Sequence, residues 1–499
     1  MNYDNKIKSV AIIGAGAAGA ITAAAFKAED YFKRIRVFER RGTPGGTWNY
    51  DPDPGPIAPI SPGHLPPDLD KPADIPETLP RWTAPSQAQY SQTPVYDSLT
   101  TNVPDIAMSF SDLRFAYGPF VPHYIPRQYV ENYFSRHKTD VFLSLNTTVE
   151  DVSRILTSFN NAPERWKLTL RRYDASRQAD FWWEEEFDAV ILANGHYSVP
   201  FVPHVDGLEA YMERFPGRVM HSKYYRSPSP YADKKVVVIG NSASGHDITT
   251  ELVSAAHLPV VQSRRSRSRW DGEEPPNGVE WKPTIRKYRL DGRIEFDDDT
   301  YLDDVDAIIY STGYKISFPF WNTKVNGRPL WDYESNKLIK GYWHTFLQDF
   351  STLALVGLPR VLTFRSFEYQ AIALARLFSG RNALPLPPLE EQQRWEKERE
   401  EECIREKKKF HDINWETGET MRWLDRFFNI AGLGTLTGEG RIPPVLGKDL
   451  IWAIEHLRKY PEPGKKKDGV EGEANGTEGR SDGDWVLVDR SIPDLLAFI

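Results

Sequence analysis

A single cysteine, Cys403, stands in 499 residues, and that scarcity excludes an internal disulfide. It also excludes the paired-cysteine redox centre of disulfide reductases, enzymes that use similar glycine-rich nucleotide loops. Long apolar runs are missing as well. None approaches the roughly 18 residues that a membrane-spanning helix requires, so no membrane span is expected. A basic excess is absent: 62 Lys and Arg against 70 Asp and Glu leave a net charge of −8, with an isoelectric point near 5.9. That balance argues against nucleic acid as the main partner. The first apolar strand starts around Ile7, so no signal peptide is expected ahead of it and a reducing, cytoplasmic setting fits best. In that setting Asn146-Thr-Thr and Asn475-Gly-Thr, which match the glycosylation sequon, read as ordinary loop residues.

Aromatic residues are abundant, 13% of the chain with 15 tryptophans, which favours a globular protein with large apolar pockets. The length suits two or three domains, each with its own core. The organising stretch is Val10-Ala-Ile-Ile-Gly14-Ala-Gly16-Ala-Ala-Gly19, an apolar strand running into a glycine-rich turn and then an Ala/Ile-rich helix over 17–28. In a dinucleotide-binding unit Gly14 allows the tight turn, Gly16 lets backbone approach a pyrophosphate, and Gly19 lets helix and strand pack closely. The helix start then offers free N–H groups and its positive dipole end to the anion. The next apolar strand, 35–38, ends at Glu39, about 20 residues past Gly19, where a carboxylate can bind ribose hydroxyls.

Gly45-Gly46-Thr47-Trp48 follows. Adjacent glycines permit close approach to a flat ligand and the indole can pack on it, although as a bare pattern this is only a loop. Residues 51–94 are crowded with proline and read as an extended surface insertion, because proline at that density sustains neither helix nor central strand. In Leu99-Thr-Thr101-Asn102-Val-Pro104, a carboxamide suits a nicotinamide or a flavin by offering donor and acceptor together. A plain turn residue is the competing reading of Asn102. A helix is expected over 129–137, strands over 141–145, 166–170 and 187–192, and a linker at Pro200 and Pro203.

A second unit begins at Lys235-Val-Val-Val-Ile239 and enters Gly240-Asn-Ser242-Ala-Ser244-Gly245, with a helix expected over 246–256. Serine replaces the middle glycine. The strand at 259–262 ends in Ser263-Arg264-Arg265 where the first unit has its acid. A carboxylate there would repel a 2′-phosphate, whereas guanidinium groups grip one bidentately, so NADP(H) is expected over NAD(H). The competing reading is a solvated basic run continuing to Arg267 and Arg269. Val305-Asp-Ala-Ile-Ile-Tyr310-Ser-Thr-Gly313 repeats the design of Phe187-Asp-Ala-Val-Ile-Leu192-Ala-Asn-Gly195. Two such halves predict an α/β fold of two nested Rossmann-like dinucleotide-binding domains, an FAD domain interrupted by an NADPH domain. Expected boundaries are 1–220 and 331–460 for the FAD domain and 221–330 for the NADPH domain. Residues 353–358 read as a strand, 366–378 as a helix whose start can face a flavin carbonyl, and 390–409 as a charged surface helix. Residues 461–484, nearly free of apolar side chains from 464 on, read as disordered, and 485–499 as a tail that docks back.

Phe215-Pro-Gly217-Arg-Val-Met-His221-Ser-Lys-Tyr-Tyr225 fits FxGxxxHxxx(Y/F), and here the chain resembles the flavin-containing monooxygenases, class B flavoprotein monooxygenases. The resemblance runs from Val10 to about Gly380 through GAGAAG, Glu39, GGTW, LTTNVP, Ser244-Gly-His-Asp247 and Ser-Thr-Gly-Tyr314. It implies that NADPH reduces FAD and that O2 then forms a C4a-hydroperoxyflavin, shielded by bound NADP⁺. The distal oxygen passes to sulfur or nitrogen of a small-molecule substrate, as in N,N-dimethylaniline monooxygenase activity. By the same resemblance Gly14, Gly16, Ala17, Ala18, Gly19, Glu39, Arg40, Gly46, Thr47 and Trp48 are FAD contacts. Thr101, Asn102, Ser242, Ser244, Gly245, Asp247, Arg264 and Arg265 form the NADPH set, with Asn102 also beside the flavin peroxide as the catalytic residue. His221 would support the inter-domain linker without proton chemistry, and no metal is implied. Baeyer–Villiger relatives usually carry Trp followed by Pro or Asp where this chain has Tyr225-Arg226, so a ketone-oxidising enzyme with the same cofactors is the alternative. The chain departs from the family in its long 51–94 insertion, in GNSASG, and in Thr363-Phe-Arg-Ser-Phe, which lacks an expected proline. A homodimer is compatible with the sequence, which does not fix the oligomeric state.

Overall fold

The computed structural model describes residues 7–86, 91–156, 164–268, 271–359, 361–432 and 439–459, with the backbone of 486–487. The segment expected to be disordered, most of the C-terminal tail, and Arg269 lie outside the described residues.

Two parallel sheets carry the molecule. In the first, Leu353–Leu355, Ala189–Leu192, Ser9–Ile13, Arg34–Phe38 and Leu143–Ser144 lie side by side in parallel, and Gly341–Tyr342 and Phe346–Leu347 extend one edge antiparallel. Its central strands Ser9–Ile13, Ala189–Leu192 and Leu353–Leu355 are almost wholly apolar because both faces are covered. Val10, Ile12, Ile35, Val37, Ala189 and Ile191 join the core that also holds the helices Ala17–Ala28 and Thr363–Ser379. The alternate residues Ala11, Ile13, Phe38, Val190 and Leu192 join a second core with Trp166, Leu168 and Phe187. Those three stand on a four-stranded antiparallel sheet in the order Arg81–Thr83, Ala179–Phe187, Trp166–Asp174, Thr147–Arg154.

The chain leaves the first sheet after Ala189–Leu192 and builds the second from Val219–His221, Ala307–Tyr310, Lys235–Ile239, His257–Ser263 and Val279–Lys282, all parallel. It then returns to the first sheet at Gly341–Tyr342 and Leu353–Leu355, which is the nested arrangement expected of the α/β class. Ile316, Phe320, Trp321 and Leu330 already pack in the core with Trp166 and Phe38, so the return begins soon after Tyr310.

Several boundaries differ from expectation. The helix expected at 129–137 is Tyr124–Arg136. Pro126 sits in its first turn, where the missing N–H has no intrahelical partner to lose. The strand expected at 141–145 shrinks to Leu143–Ser144 behind a 3₁₀ turn, Asp140–Phe142. The second nucleotide helix spans Ala243–Leu252, the strand before Arg264 spans His257–Ser263, and Thr363–Ser379 starts three residues early. The proline-rich insertion forms one short helix, Pro66–Leu69, and the edge strand Arg81–Thr83. Arg226 clasps both its ends: Nε donates to the Asp51 carbonyl at 2.7 Å and a terminal nitrogen to the Thr93 carbonyl at 3.3 Å. Val486–Leu487 pairs antiparallel with Leu457–Arg458.

Candidate functional site

The two glycine loops are built alike. Gly14 has φ +107°, and a Cβ there would lie 2.4 Å from the Ala193 carbonyl oxygen, while a Cβ on Gly19 would lie 1.9 Å from the Gly14 oxygen. Gly240 also has φ +107°, with a Cβ 2.6 Å from the Ser311 oxygen, and a Cβ on Gly245 would lie 2.1 Å from the Gly240 oxygen. Only glycine fits at these four positions. The middle position is different. Gly16 (φ −78°, ψ −168°) and Ser242 (φ −84°, ψ −173°) share an extended conformation open to any residue, so serine stands in the second loop without strain. Each caps its helix with no side-chain bond, leaving first-turn N–H groups, including those of Ala17, Ala18 and Ser244, for an anion.

Around the first loop, a Cβ on Gly46 would lie 2.8 Å from the Gly16 Cα, so the GGTW loop meets the phosphate loop backbone to backbone. Gly45 N–H donates to the Ala15 carbonyl at 3.0 Å. Thr47 and Trp48 complete the 3₁₀ turn Gly46–Trp48, with Trp48 packed on the core. Glu39 is buried, its carboxylate accepting Ala15 N–H at 2.9 Å and Arg41 N–H at 3.0 Å. Arg40 donates to Ser198 Oγ at 3.3 Å. A second uncapped helix start, Thr363–Ser379, converges here: a Cβ on Gly357 would lie 3.3 Å from the Ala18 Cβ and 3.4 Å from the Phe367 ring.

Thr101 and Asn102 lie where the chain crosses between the two domains. Tyr96 and Leu99 pack in the core of the second sheet, and Val103 packs in that of the first. Thr101 is fixed by two bonds to Val121, 2.8 Å from its N–H and 3.0 Å to its hydroxyl, whereas Asn102 is exposed. Asp247 accepts the Tyr96 hydroxyl, and Lys459 reaches it at 3.3 Å and the Thr100 carbonyl at 3.4 Å. The structure therefore engages Asp247 in a tie between domains. Burial pushes the Lys459 ammonium down, against the pull of Asp247.

At the far end of the second loop, Arg264 stacks on Trp281 and donates to Asp271 at 3.0 Å. Arg265 is exposed and makes no ion pair among the described residues. His221 is neutral. Its Nδ1 accepts Lys223 N–H at 3.1 Å, its Nε2 lies 3.0 Å from the Gly313 carbonyl, and burial pushes it down to about 3. Lys223, buried beside Arg40 and Arg41, is pushed down to about 6, by burial first and by those charges second. Sequence reasoning missed Tyr96, Lys223, Asp271, Trp281 and Lys459 as parts of the site. Only the Ser244-Gly-His-Asp247 stretch, whose Asp247 two of them hold, pointed nearby. A cavity of about 450 Å³ among the C-terminal helices, lined by Trp343, Trp395, Arg399, Glu419 and Trp423 among others, shares no lining residue with either loop. No group of three or more His, Cys, Asp or Glu among the described residues is arranged to hold a metal.

Two dinucleotide cradles on nested parallel sheets, joined by a polar crossing, define a two-nucleotide flavoprotein. Residues 65–270 and 277–431 match the family model described as Flavin-binding monooxygenase-like, and 12–68 match an NAD(P)-binding Rossmann-like domain. The chain belongs to the flavin-binding monooxygenase-like family and is an oxidoreductase that uses FAD and NADPH. It is 30% identical over 438 residues to flavin-containing monooxygenase iboF of Amanita muscaria (strain Koide BX008), covering 76% of this chain and 80% of that one. To flavin-containing monooxygenase FMO GS-OX5 of Arabidopsis thaliana it is 32% identical over 392 residues, covering 76% and 75%. The solved S-allyl-L-cysteine S-oxygenase of Allium sativum superposes with a TM-score of 0.67 at 27% identity, covering 86% and 90%. Cyclohexanone monooxygenase with bound ε-caprolactone reaches 0.55 at 13% identity, covering 86% and 98%, a likeness of fold alone.

Proposed function

We propose that the chain is an NADPH- and O2-dependent monooxygenase that places one oxygen atom on a soft nucleophile, sulfur or nitrogen, of a small-molecule substrate. The observation that carries this reading is the duplicated cradle, Gly14–Gly19 with Ala193 and Gly240–Gly245 with Ser311, with Asn102 at the crossing between them. The resemblance to the Allium sativum S-oxygenase favours sulfur. The flavin, reduced by NADPH, supplies the activation of O2.

The residues of the chain do the rest. The helix starts at Ala17 and Ala243 hold the two pyrophosphates through backbone N–H groups and dipole. Glu39 already faces the first loop and accepts from ribose hydroxyls there. Arg264 and Arg265 hold the 2′-phosphate of NADPH. Asn102 offers a donor and an acceptor from one carboxamide where the flavin and nicotinamide ends meet, and Thr101 fixes the loop that presents it. Tyr96, Asp247 and Lys459 tie the domains together beside that meeting point and help to keep water out of it. Assaying a thioether, a tertiary amine and a cyclic ketone side by side tests the reading. Sulfoxide or N-oxide formed with matching NADPH and O2 consumption is expected, and a lactone from the ketone with no S- or N-oxide would overturn it.

A further inference from the structure

We infer that Asp271 and Trp281 are positioning residues that hold Arg264 ready for the 2′-phosphate of NADPH and couple that grip to the second phosphate loop. The inference rests on the NADPH reading above and adds what sets the arginine's posture.

The contacts form a closed circuit. The Arg264 guanidinium carbon lies 3.5 Å from the centroid of the Trp281 ring, a stacking that fixes the plane of the guanidinium. A terminal nitrogen donates to Asp271 Oδ2 at 3.0 Å, and the same oxygen accepts Asn241 Nδ2 at 2.6 Å and Ser268 N–H at 2.8 Å. Asn241 belongs to the Gly240–Gly245 loop. From the other side, Trp281 Nε1 donates to Gln262 Oε1 at 3.1 Å, and Gln262 Nε2 donates to the carbonyls of Gly240 at 3.2 Å and Gly245 at 3.3 Å. The path from loop to Arg264 and back contains no gap. The Asp271 side chain is only 2% exposed, and that of Arg264 is 24% exposed.

A buried carboxylate beside a phosphate subsite is an unfavourable placement taken alone, since it repels the dianion. It becomes useful when it fixes a guanidinium that would otherwise sample many rotamers and lose that freedom on binding. The two effects of Asp271 oppose each other, so Asp271→Asn has opposite signs under two accounts. If charge alone matters, the variant binds a 2′-phosphate more tightly. If posture matters, it binds one more weakly, and only in an Arg264→Ala background, where nothing is left to hold, does the same change strengthen binding.

Calorimetric titration of the flavin-loaded protein with 2′,5′-ADP and with 5′-AMP reads this directly, because the ratio of the two affinities isolates the 2′-phosphate. Trp281→Leu should lower the ratio about tenfold and Asp271→Asn about fivefold, with 5′-AMP affinity held within about twofold, and Trp281→Phe, which keeps a stacking face but loses the Nε1 bond to Gln262, should lower it by less than Trp281→Leu. In the Arg264→Ala background, Asp271→Asn should raise the ratio. Retained flavin absorbance reports folding, and should Trp281→Leu lose it, the near-isosteric Asp271→Asn decides alone. A ratio unchanged or increased by Asp271→Asn in the wild-type background, while Arg264→Ala lowers it, overturns the positioning role and leaves the NADPH reading standing. A wild-type protein that binds the two nucleotides equally overturns that reading and the inference with it.

Discussion

Asn102 is an exposed side chain between two buried neighbours, Thr101 and Val103. That contrast marks a residue held out by its backbone toward something other than protein. Asn102→Ala should leave FAD bound while diverting NADPH oxidation into released hydrogen peroxide, measured by comparing peroxide with oxygenated product; unchanged coupling would remove Asn102 from the mechanism. Changing Arg264 and Arg265 together to Ala should raise KM for NADPH at least about tenfold while moving that for NADH little, and equal losses for both would refute the 2′-phosphate role. Asn102 and Arg264 could be proposed from the sequence because short stretches carry them, the LTTNVP of the family resemblance in one case and the end of a strand in the other. Lys459 could not: it meets Thr100 from 359 positions away, and no local pattern announces such a contact. Asp271 and Trp281 were equally silent, since a lone acid and a lone indole acquire meaning only once Arg264 lies between them.

Among the elements, the central strands Ser9–Ile13, Ala189–Leu192, Lys235–Ile239 and Ala307–Tyr310 were legible because burial on two faces favours apolar runs, whereas the short strands Val219–His221, Val279–Lys282, Gly341–Tyr342 and Phe346–Leu347 carry no such run and were not. Ala179–Phe187 was not, since Glu184-Glu185-Glu186 within it resembles a solvated segment. Each of these acids has a cation beside it: Lys167 of the adjacent strand meets Glu184 at 2.8 Å, Arg165 meets Glu186 at 3.0 Å, and Arg34 of the parallel sheet pairs with Glu185. The close approach of each phosphate loop to its helix gives a paired test. In Gly19→Ala the new methyl would press on a backbone oxygen that cannot swing aside, costing roughly 1–3 kcal/mol and emptying the FAD site. Gly245→Ala should impair NADPH binding with flavin retained. Flavin content and nucleotide titration of the two variants should therefore separate, and full flavin occupancy in Gly19→Ala would contradict the close-packing account.

For the whole molecule, acid should be a specific hazard. His411 is pushed down to about 3 by burial, with Arg399 and Lys337 adding to the shift, and His344, Nδ1 to Nδ1 with it at 2.9 Å, is pushed well below its ordinary value. His411 Nε2 accepts Leu338 N–H at 3.0 Å, so the folded state holds the neutral ring. The unfolded chain binds a proton below about pH 6.5 and the folded one does not. Stability from His411 is therefore complete above that value and lost as pH falls toward about 3, at up to about 1.4 kcal/mol per pH unit. Urea denaturation at about pH 7.5 and about pH 5.5 should show wild type losing roughly 1 kcal/mol more than His411→Asn. Equal losses would contradict the assignment.

Both nucleotide cradles are nested in one polypeptide, and the proposed function requires electrons to pass between the two bound dinucleotides. Mixing the purified protein with NADPH in the absence of oxygen tests this most directly. A yellow protein whose visible flavin band is bleached by NADPH, and regains its colour when air is admitted, is the predicted result. A colourless protein, or a yellow one that NADPH leaves unbleached, would contradict it.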